Sequence, residues 1–279
     1  MPAQALDHAV VVCSDLDAAA ERWRTLGFTL TPRGYHSLGS QNHCIMLARD
    51  YLELLHVPEA TSVLQYYLDT QQHGGGCAAI SCRSGDVFGE TASLRGEGWH
   101  MSDPFELTRP VTLGDGSVRD AIFRVSSLDE APGARYFLCE HRTPELLWRD
   151  EWTSHVNGAL GVETMFLVVA PALVEAAARA YAGLTGGLMM QEDEDCCSVS
   201  LAGSQLLITT PKRLAAATGS DAVVRDVPGY AAIRLRTSSL ETARDVWRAN
   251  AVAAIDLGPR ESLIPAHQAG GVALLFTQA

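Results

Sequence analysis

The chain has 279 residues, 47% of them hydrophobic and 19% charged, a globular composition that is long enough for two domains. Its 33 acidic side chains outnumber 21 basic ones, and the resulting net charge of −12 disfavours binding to nucleic acid. No apolar stretch approaches the about 20 residues that cross a membrane, and the N-terminus lacks the basic-then-apolar form of a signal peptide. We therefore expect a cytoplasmic protein with no nucleic-acid or membrane partner, whose seven scattered cysteines are free thiols.

The first predicted unit is a strand, a helix and three further strands. Residues 6–13, LDHAVVVC, are rich in valine, which favours a buried strand. Ser14 or Asp15 is a suitable N-cap for an amphipathic helix over 16–26, and Gly27 is suited to end it. Three further strands are predicted at residues 28–31, 42–48 and 51–56.

The same order of elements recurs along the chain. A second copy spans residues 77–98 and ends at 135–144, a third begins at 164–187, and a fourth begins at 230–250. The helices LDAAAERWRTLG and LVEAAARAYAGLTG each follow a valine-rich strand, so chance alternation is the weaker explanation. This self-similarity predicts an α+β chain of four βαβββ modules.

Three stretches carry a resemblance to a known family: LDHAVVVCSDLDAAAERWRTLGF, YLELL and HRTPELLWRDEWTSHVNGA. They are similar to the glyoxalase-like domain family of the vicinal-oxygen-chelate superfamily. The resemblance implies that the modules pair into two curved mixed sheets, as tandem glyoxalase-like domains. It implies an N-terminal domain at 1–150 with the metal site and a C-terminal domain at 151–279 with a degenerate one. Pairing within one chain or between two chains, the latter giving a homodimer, is left open.

Three polar residues in the predicted strands fall opposite the predicted helix-packing face. Alternate side chains of a strand point to opposite faces, which places His8 with Leu6 and Val10, and Glu53 with Tyr51. By the same alternation Glu140 shares a face with Tyr136 and Leu138, while Phe137 and Cys139 point to the core. If this face curls into a cup, His8, Glu53 and Glu140 converge.

Two carboxylates and an imidazole suit a divalent cation, and Fe, Mn, Ni, Co or Zn suit this set better than calcium. The resemblance gives the same ligands, His8, Glu53 and Glu140, although Ala78–Ile80 offers no fourth one. The corresponding positions in the C-terminal half offer none: Thr164, Ile208, Ile233 and Phe276. The alternative is that His8 is a satisfied strand histidine and that Glu140 pairs with Arg142 at the surface.

Further residues are candidates for the reaction. Glu53, Glu140 or His43 would move a proton, since carboxylates and imidazoles serve as general acids and bases. His36, Tyr51 and Trp148 would bind substrate, although the position of Trp148 in the connection between the halves favours a role in packing the two halves together.

The resemblance, together with these residues, implies a metal-dependent enzyme that acts on a small oxygen-rich substrate by glyoxalase-like lyase or isomerase chemistry. The alternatives are an Fe(II) dioxygenase of the same fold and a metal-free small-molecule binding or resistance protein.

Overall fold

The computed structural model of the chain describes residues 4–128, 130–218 and 228–279, and its elements follow four repeated units. The first unit contains β1 (Leu6–Val12), α1 (Leu16–Thr25), β2 (Gly34–Tyr35), β3 (Gln41–Met46) and β4 (Tyr51–His56). After α2 (Gln65–Gln72), the second unit contains β5 (Gly76–Arg83), α3 (Val87–Gly96), β6 (Phe105–Thr112), β7 (Val118–Leu128) and β8 (Arg135–His141).

The second half of the chain repeats this order. After α4 (Asp150–Thr153), the third unit contains β9 (Ala159–Val168), α5 (Val174–Thr185), β10 (Met189–Asp193), β11 (Cys196–Leu201) and β12 (Ser204–Thr209). After α6 (Pro211–Thr218), the fourth contains β13 (Gly229–Thr237), α7 (Leu240–Ala249), β14 (Ile255–Gly258), β15 (Glu261–Ile264) and β16 (Ala273–Gln278). The predicted α+β fold of four βαβββ modules is confirmed.

The modules pair through their first strands. β1 runs antiparallel to β5, and each is flanked by the parallel last strand of its own module, β4 or β8. The first eight strands therefore form a mixed sheet in the order β2-β3-β4-β1-β5-β8-β7-β6. The last eight form β10-β11-β12-β9-β13-β16-β15-β14, joined to the first set through the pair Tyr230 and Cys77.

The first eight-stranded sheet curls until its two edges meet. The backbone N–H of Ser37, next to β2, donates to the carbonyl of Thr108 in β6 at 2.9 Å, and the Ser37 hydroxyl accepts from the Thr108 N–H at 3.1 Å. The inward face of this sheet is thereby enclosed, as a cup.

Helices α1, α3, α5 and α7 cover the outward faces and share one apolar core. This core contains Trp23 and Leu94 from the first half and Tyr181 and Trp247 from the second. The Trp247 indole N–H donates to the carbonyl of Leu26 across the two halves at 3.1 Å. All seven cysteines are buried. No helix among the described residues combines the length and apolar character that a membrane crossing requires.

Local signals set the first helix as predicted. The Asp15 carboxylate accepts the N–H of Ala18 at 2.9 Å and caps α1, and Gly27 beyond its end has φ of +93°, a conformation that glycine adopts without strain. The strand predicted at 28–31 is wrong. Phe28 instead packs against Trp23 and Phe276, and the short edge strand begins at Gly34.

Candidate functional site

The cup of the first eight strands contains a cavity that encloses about 810 Å³ of empty space, part of it open to solvent. Most of its wall is apolar, with side chains that include Leu38, Leu55, Leu64, Phe105, Phe123 and Phe137. A small polar cluster stands against this wall, formed by His8, His36, Asn42, Glu53 and Arg109. An apolar pocket with a few convergent polar groups is the usual form of a small-molecule site.

An irregularity in β1 places two adjacent polar side chains together. The pairing of β1 with β5 shifts register between Leu6 and His8, and Leu6 packs in the helix-facing core although His8 lines the cavity. The expected shared face of Leu6 and His8 is therefore wrong, because a bulge changes the alternation at this point. The buried Asp7 beside it accepts a hydrogen bond from His8 Nδ1 at 2.8 Å.

Asp7 is the centre of a buried charge network. Its Oδ2 also accepts from His141 Nε2 at 2.8 Å, and its Oδ1 accepts from Arg83 Nε at 3.0 Å. Burial alone would raise the pKa of Asp7, but His141 and His8 hold it well below its ordinary value, so this carboxylate is ionised. An ionised Asp7 fixes the proton of His8 on Nδ1 and leaves the Nε2 lone pair directed into the cavity.

Glu53 lies between two imidazole nitrogens. Its Oε2 is 3.7 Å from His8 Nε2, and its Oε1 is 3.7 Å from His36 Nε2. The amide of Asn42 donates to Oε1 at 2.6 Å, and Arg109 Nη1 in turn donates to the Asn42 carbonyl oxygen at 2.9 Å. The carboxylate is thus held from one side, while Oε2 stays directed toward His8.

His36 is a neutral imidazole in this arrangement. Burial lowers its pKa to about 4, so it carries no charge at neutral pH. Its Nδ1 lies 2.9 Å from the Ser40 hydroxyl, and the Asn42 amide lies 3.3 Å from Nε2, which makes Nε2 the acceptor nitrogen. Two imidazole nitrogens therefore flank one carboxylate, and no hydrogen bond joins His8 Nε2 to Glu53 Oε2 across their 3.7 Å separation. Such a gap is suited to a cation or a proton.

The structure does not bring Glu140 to His8 and Glu53. Phe137 and Cys139 line the cavity, whereas Tyr136 and Leu138 belong to the helix-facing core, the reverse of the predicted faces of β8. Glu140 accepts the N–H of Val87 at the start of α3 at 3.2 Å and pairs with Arg142 at 2.7 Å. Both faces of β8 carry large apolar side chains, so alternation alone could not tell which one faces inward.

The remaining predicted residues divide between the cavity and the core. His36 and Tyr51 line the cavity, and the Tyr51 ring stacks on His8 with centroids 4.4 Å apart. His43 points the other way, where its Nδ1 contacts the carbonyl of Thr31 at 2.8 Å and burial lowers its pKa. Trp148 is outside the cavity lining and packs its ring edge to face with Tyr51 at 5.8 Å.

A second group of metal-ligating side chains lies beneath the cavity. Ligand atoms of Asp7, Cys139 and His141 lie within 4.8 Å of one another. The guanidinium of Arg83 already holds this carboxylate, and burial raises the pKa of the Cys139 thiol well above its ordinary value. A neutral thiol and a neighbouring cation suit a metal ion less well than the His8, Glu53 and His36 set.

The other three modules offer apolar residues where the first has ligands. In the second module Ala79 and Phe137 belong to an apolar cluster on the cavity side of the sheet, together with Val10 and Leu55. In the C-terminal half Ile208, Ile233 and Phe276 pack toward the helices, and Thr164 accepts a hydrogen bond from Gln205. The inward face of that half is filled by side chains such as Phe166 and Leu275.

Sequence reasoning missed Asp7, Asn42 and Arg109. The polar pair Asp7–His8 inside an apolar strand was a visible signal of a bulge. Asn42 and Arg109 gave no such signal, because they become neighbours only when β3 and β6 meet across the closed edge of the sheet.

Residues 6–185 match the model of a family described as a glyoxalase-like domain. A hypothetical protein from Staphylococcus aureus is similar in structure, with a TM-score of 0.71 and 12% identity over 98% of this chain and 99% of its own. A variant of 4-hydroxymandelate synthase from Streptomyces coelicolor has a TM-score of 0.63 and 12% identity, and the match covers 100% of this chain and 93% of the synthase. An extradiol ring-cleaving dioxygenase from B. fuscum has a TM-score of 0.60 and 13% identity, and the match covers 100% of this chain and 73% of the dioxygenase. At these identities the likeness shows the fold alone. No curated protein matches the sequence.

Proposed function

Since the chain belongs to the glyoxalase-like domain family, within the vicinal-oxygen-chelate superfamily, we propose that it is a divalent-metal-dependent enzyme acting on a small molecule with two neighbouring oxygen atoms. The observation that carries the proposal is the pair of imidazole nitrogens, His8 Nε2 and His36 Nε2, that flank the Glu53 carboxylate, each 3.7 Å from one of its oxygens.

His8, His36 and Glu53 would hold the metal ion. Two imidazoles and one carboxylate are a donor set for Fe, Mn, Co, Ni or Zn, and the Asp7–His8 hydrogen bond is the outer contact that metal-binding histidines usually make. A divalent ion at this place supplies Lewis-acid polarisation of the substrate oxygens.

Residues of the chain itself would hold the reacting side chains in place and move the proton. Asn42 restrains Glu53 Oε1, so that Oε2 is the atom available to accept a proton from the substrate carbon and to return it. Asp7 keeps the His8 ring in one orientation. The apolar wall excludes water around the carboxylate and binds the hydrocarbon part of the substrate. Lyase or isomerase chemistry follows from such a proton transfer.

One observation favours the second candidate function, a metal-free binding protein. Ala79 and Phe137 stand where the second module would supply further ligands, and they make that side of the cavity apolar. For an Fe(II) dioxygenase, the third candidate function, the only support is the set of two histidines and one carboxylate. The structural likeness to dioxygenases shows the fold and not the reaction.

Metal binding separates these candidates. We expect the purified protein, stripped with EDTA and titrated with Mn²⁺ by calorimetry, to bind one equivalent. His8→Ala and Glu53→Gln should each weaken this binding by more than about tenfold, because each removes a ligand. Glu140→Gln is the matched control and should bind Mn²⁺ as the wild type does. A wild type that binds no Mn²⁺, or ligand variants that bind it unchanged, would favour the metal-free binding protein.

A further inference from the structure

Arg109 on β6 is a buried cation that lines the cavity. It is 2% exposed, yet none of the described carboxylates forms an ion pair with it. Its Nη1 donates to the Asn42 carbonyl oxygen at 2.9 Å, and its buried Nε has no hydrogen-bond partner within the described part of the chain. Glu53 is separated from it by the Asn42 amide. Burying an unpaired charge costs several kcal/mol, so its retention needs a reason.

The fold makes room for this side chain. Gly34 in β2 lies directly against it, and a Cβ added there would collide with Arg109 Cδ and Asn42 Oδ1 and lie 2.7 Å from Arg109 Nη1. Gly34 is required because Arg109 fills the space that a larger side chain would occupy. The backbone conformation of Gly34 does not itself require glycine. The closed edge between β2 and β6 is thus shaped to hold a guanidinium beside Asn42 and Glu53.

We propose that Arg109 binds an anionic oxygen of the substrate, and that the substrate is a small carboxylate, or a similar oxyanion, with an apolar body. This deepens the proposed function, on which it rests for the cavity as the substrate site. A guanidinium binds carboxylates strongly, and an apolar surrounding strengthens that contact. The apolar wall accounts for the rest of the molecule.

Arg135 is the rival cation, since it also lines the cavity. Its guanidinium lies over the rings of Tyr66 and Tyr67 at 5.4 and 5.3 Å and donates to the Ser127 hydroxyl at 3.1 Å. These contacts give Arg135 a packing role on α2, away from Asn42 and Glu53.

A matched pair of probes tests the proposal: 3-phenyllactate and its uncharged amide, 3-phenyllactamide, titrated by calorimetry into the EDTA-treated protein. The wild type should bind the acid more tightly than the amide by about tenfold or more. Arg109→Gln should abolish this preference. It should leave the dissociation constant of the amide within about twofold of the wild-type value, a difference too small to reflect a lost contact. Arg109→Lys should keep part of the preference, and Gly34→Ala should reduce it by displacing the guanidinium.

Three results would overturn the inference: no preference for the acid in the wild type, no binding of the acid at millimolar concentration, or loss of the preference in Arg135→Gln but not in Arg109→Gln. Far-UV circular dichroism shows which variants are folded, and Arg109→Lys still tests the idea if Arg109→Gln does not fold. The Mn²⁺ titration is read separately. If Arg109 sets the acid preference but the wild type binds no Mn²⁺, the proposed enzyme fails and this inference stands.

Discussion

At the scale of single residues, Asp7 holds more of the site together than any residue predicted from the sequence. Its carboxylate accepts from His8, His141 and Arg83 while fully buried. Removing one partner of a buried charge network leaves the others unpaired. His8 would also lose the contact that fixes its tautomer.

We therefore expect Asp7→Asn to lower the free energy of unfolding by about 3 kcal/mol at pH 7 and to weaken Mn²⁺ binding by about 10- to 100-fold. Because the pKa of Asp7 is lowered on folding, its stabilisation is present above the ordinary carboxyl pKa and is lost as the pH falls. The stability difference between the two proteins should thus be full above about pH 5 and shrink progressively as the pH falls below about 4. Urea unfolding and calorimetry measure both effects. Asp17→Asn, at an exposed site, is the control, and unchanged Mn²⁺ affinity in folded Asp7→Asn would contradict the role of Asp7 in holding His8.

The residue scale also shows what the sequence could predict of the site. His8 and Glu53 were accessible to pattern reasoning, because each is a polar residue within a strand that is otherwise largely apolar, although the bulge at His8 altered the predicted face of Leu6. Glu140 was not, because β8 is apolar on both faces and its orientation depends on how it pairs with β5 and β7. The position of Arg109 depends on the closure of the sheet, which no local pattern describes.

At the scale of elements, the bounds of the first helix followed from its cap and its periodicity, whereas the turn between β3 and β4 makes interactions that were not predicted. The turn between β3 and β4 reaches β9 of the other half. There Asp50 accepts the N–H of Val162 at 3.0 Å, and the Ala48 N–H donates to the carbonyl of Leu160 at 3.1 Å. A short polar turn in the sequence gave no indication of this long-range contact.

Asp50 makes this contact sensitive to pH. Burial raises its pKa to about 6, although the Val162 N–H and the nearby arginines 236, 49 and 83 oppose the shift. A raised carboxyl pKa means stability that is full below about pH 4 and falls as the pH rises through 6. Asp50→Asn keeps an oxygen for Val162 and removes the charge. We expect this variant to match the wild type at pH 4 and to exceed its stability by up to about 3 kcal/mol at pH 8.

Urea unfolding across this pH range is the measurement, with the exposed Asp103→Asn as the control variant. A constant stability difference between Asp50→Asn and the wild type at pH 4 and pH 8 would contradict the raised pKa.

At the scale of the whole molecule, the four-module repeat was readable from the sequence, but the way the halves meet was not. The division of the chain into an N-terminal domain at 1–150 and a C-terminal domain at 151–279 remains a prediction. The helix-facing core contains residues of all four modules, so the two halves share apolar surface that neither would bury alone. Shared burial of this kind favours unfolding in one cooperative step.

Trp247 tests this cooperativity. It is 1% exposed, donates to Leu26 of the first half and packs edge to face against Phe276 at 4.8 Å. Trp247→Ala should lower the free energy of unfolding by about 3–5 kcal/mol, as large-to-small changes in a core do. In this variant three of the four remaining tryptophans lie before residue 150, and the fourth, Trp152 of α4, packs with Cys44 and Met46 of the first half. Fluorescence therefore reports the first half while circular dichroism reports both. We expect the two signals to shift together to lower urea concentration. A fluorescence transition that keeps its wild-type midpoint while circular dichroism shifts would show that the halves unfold independently.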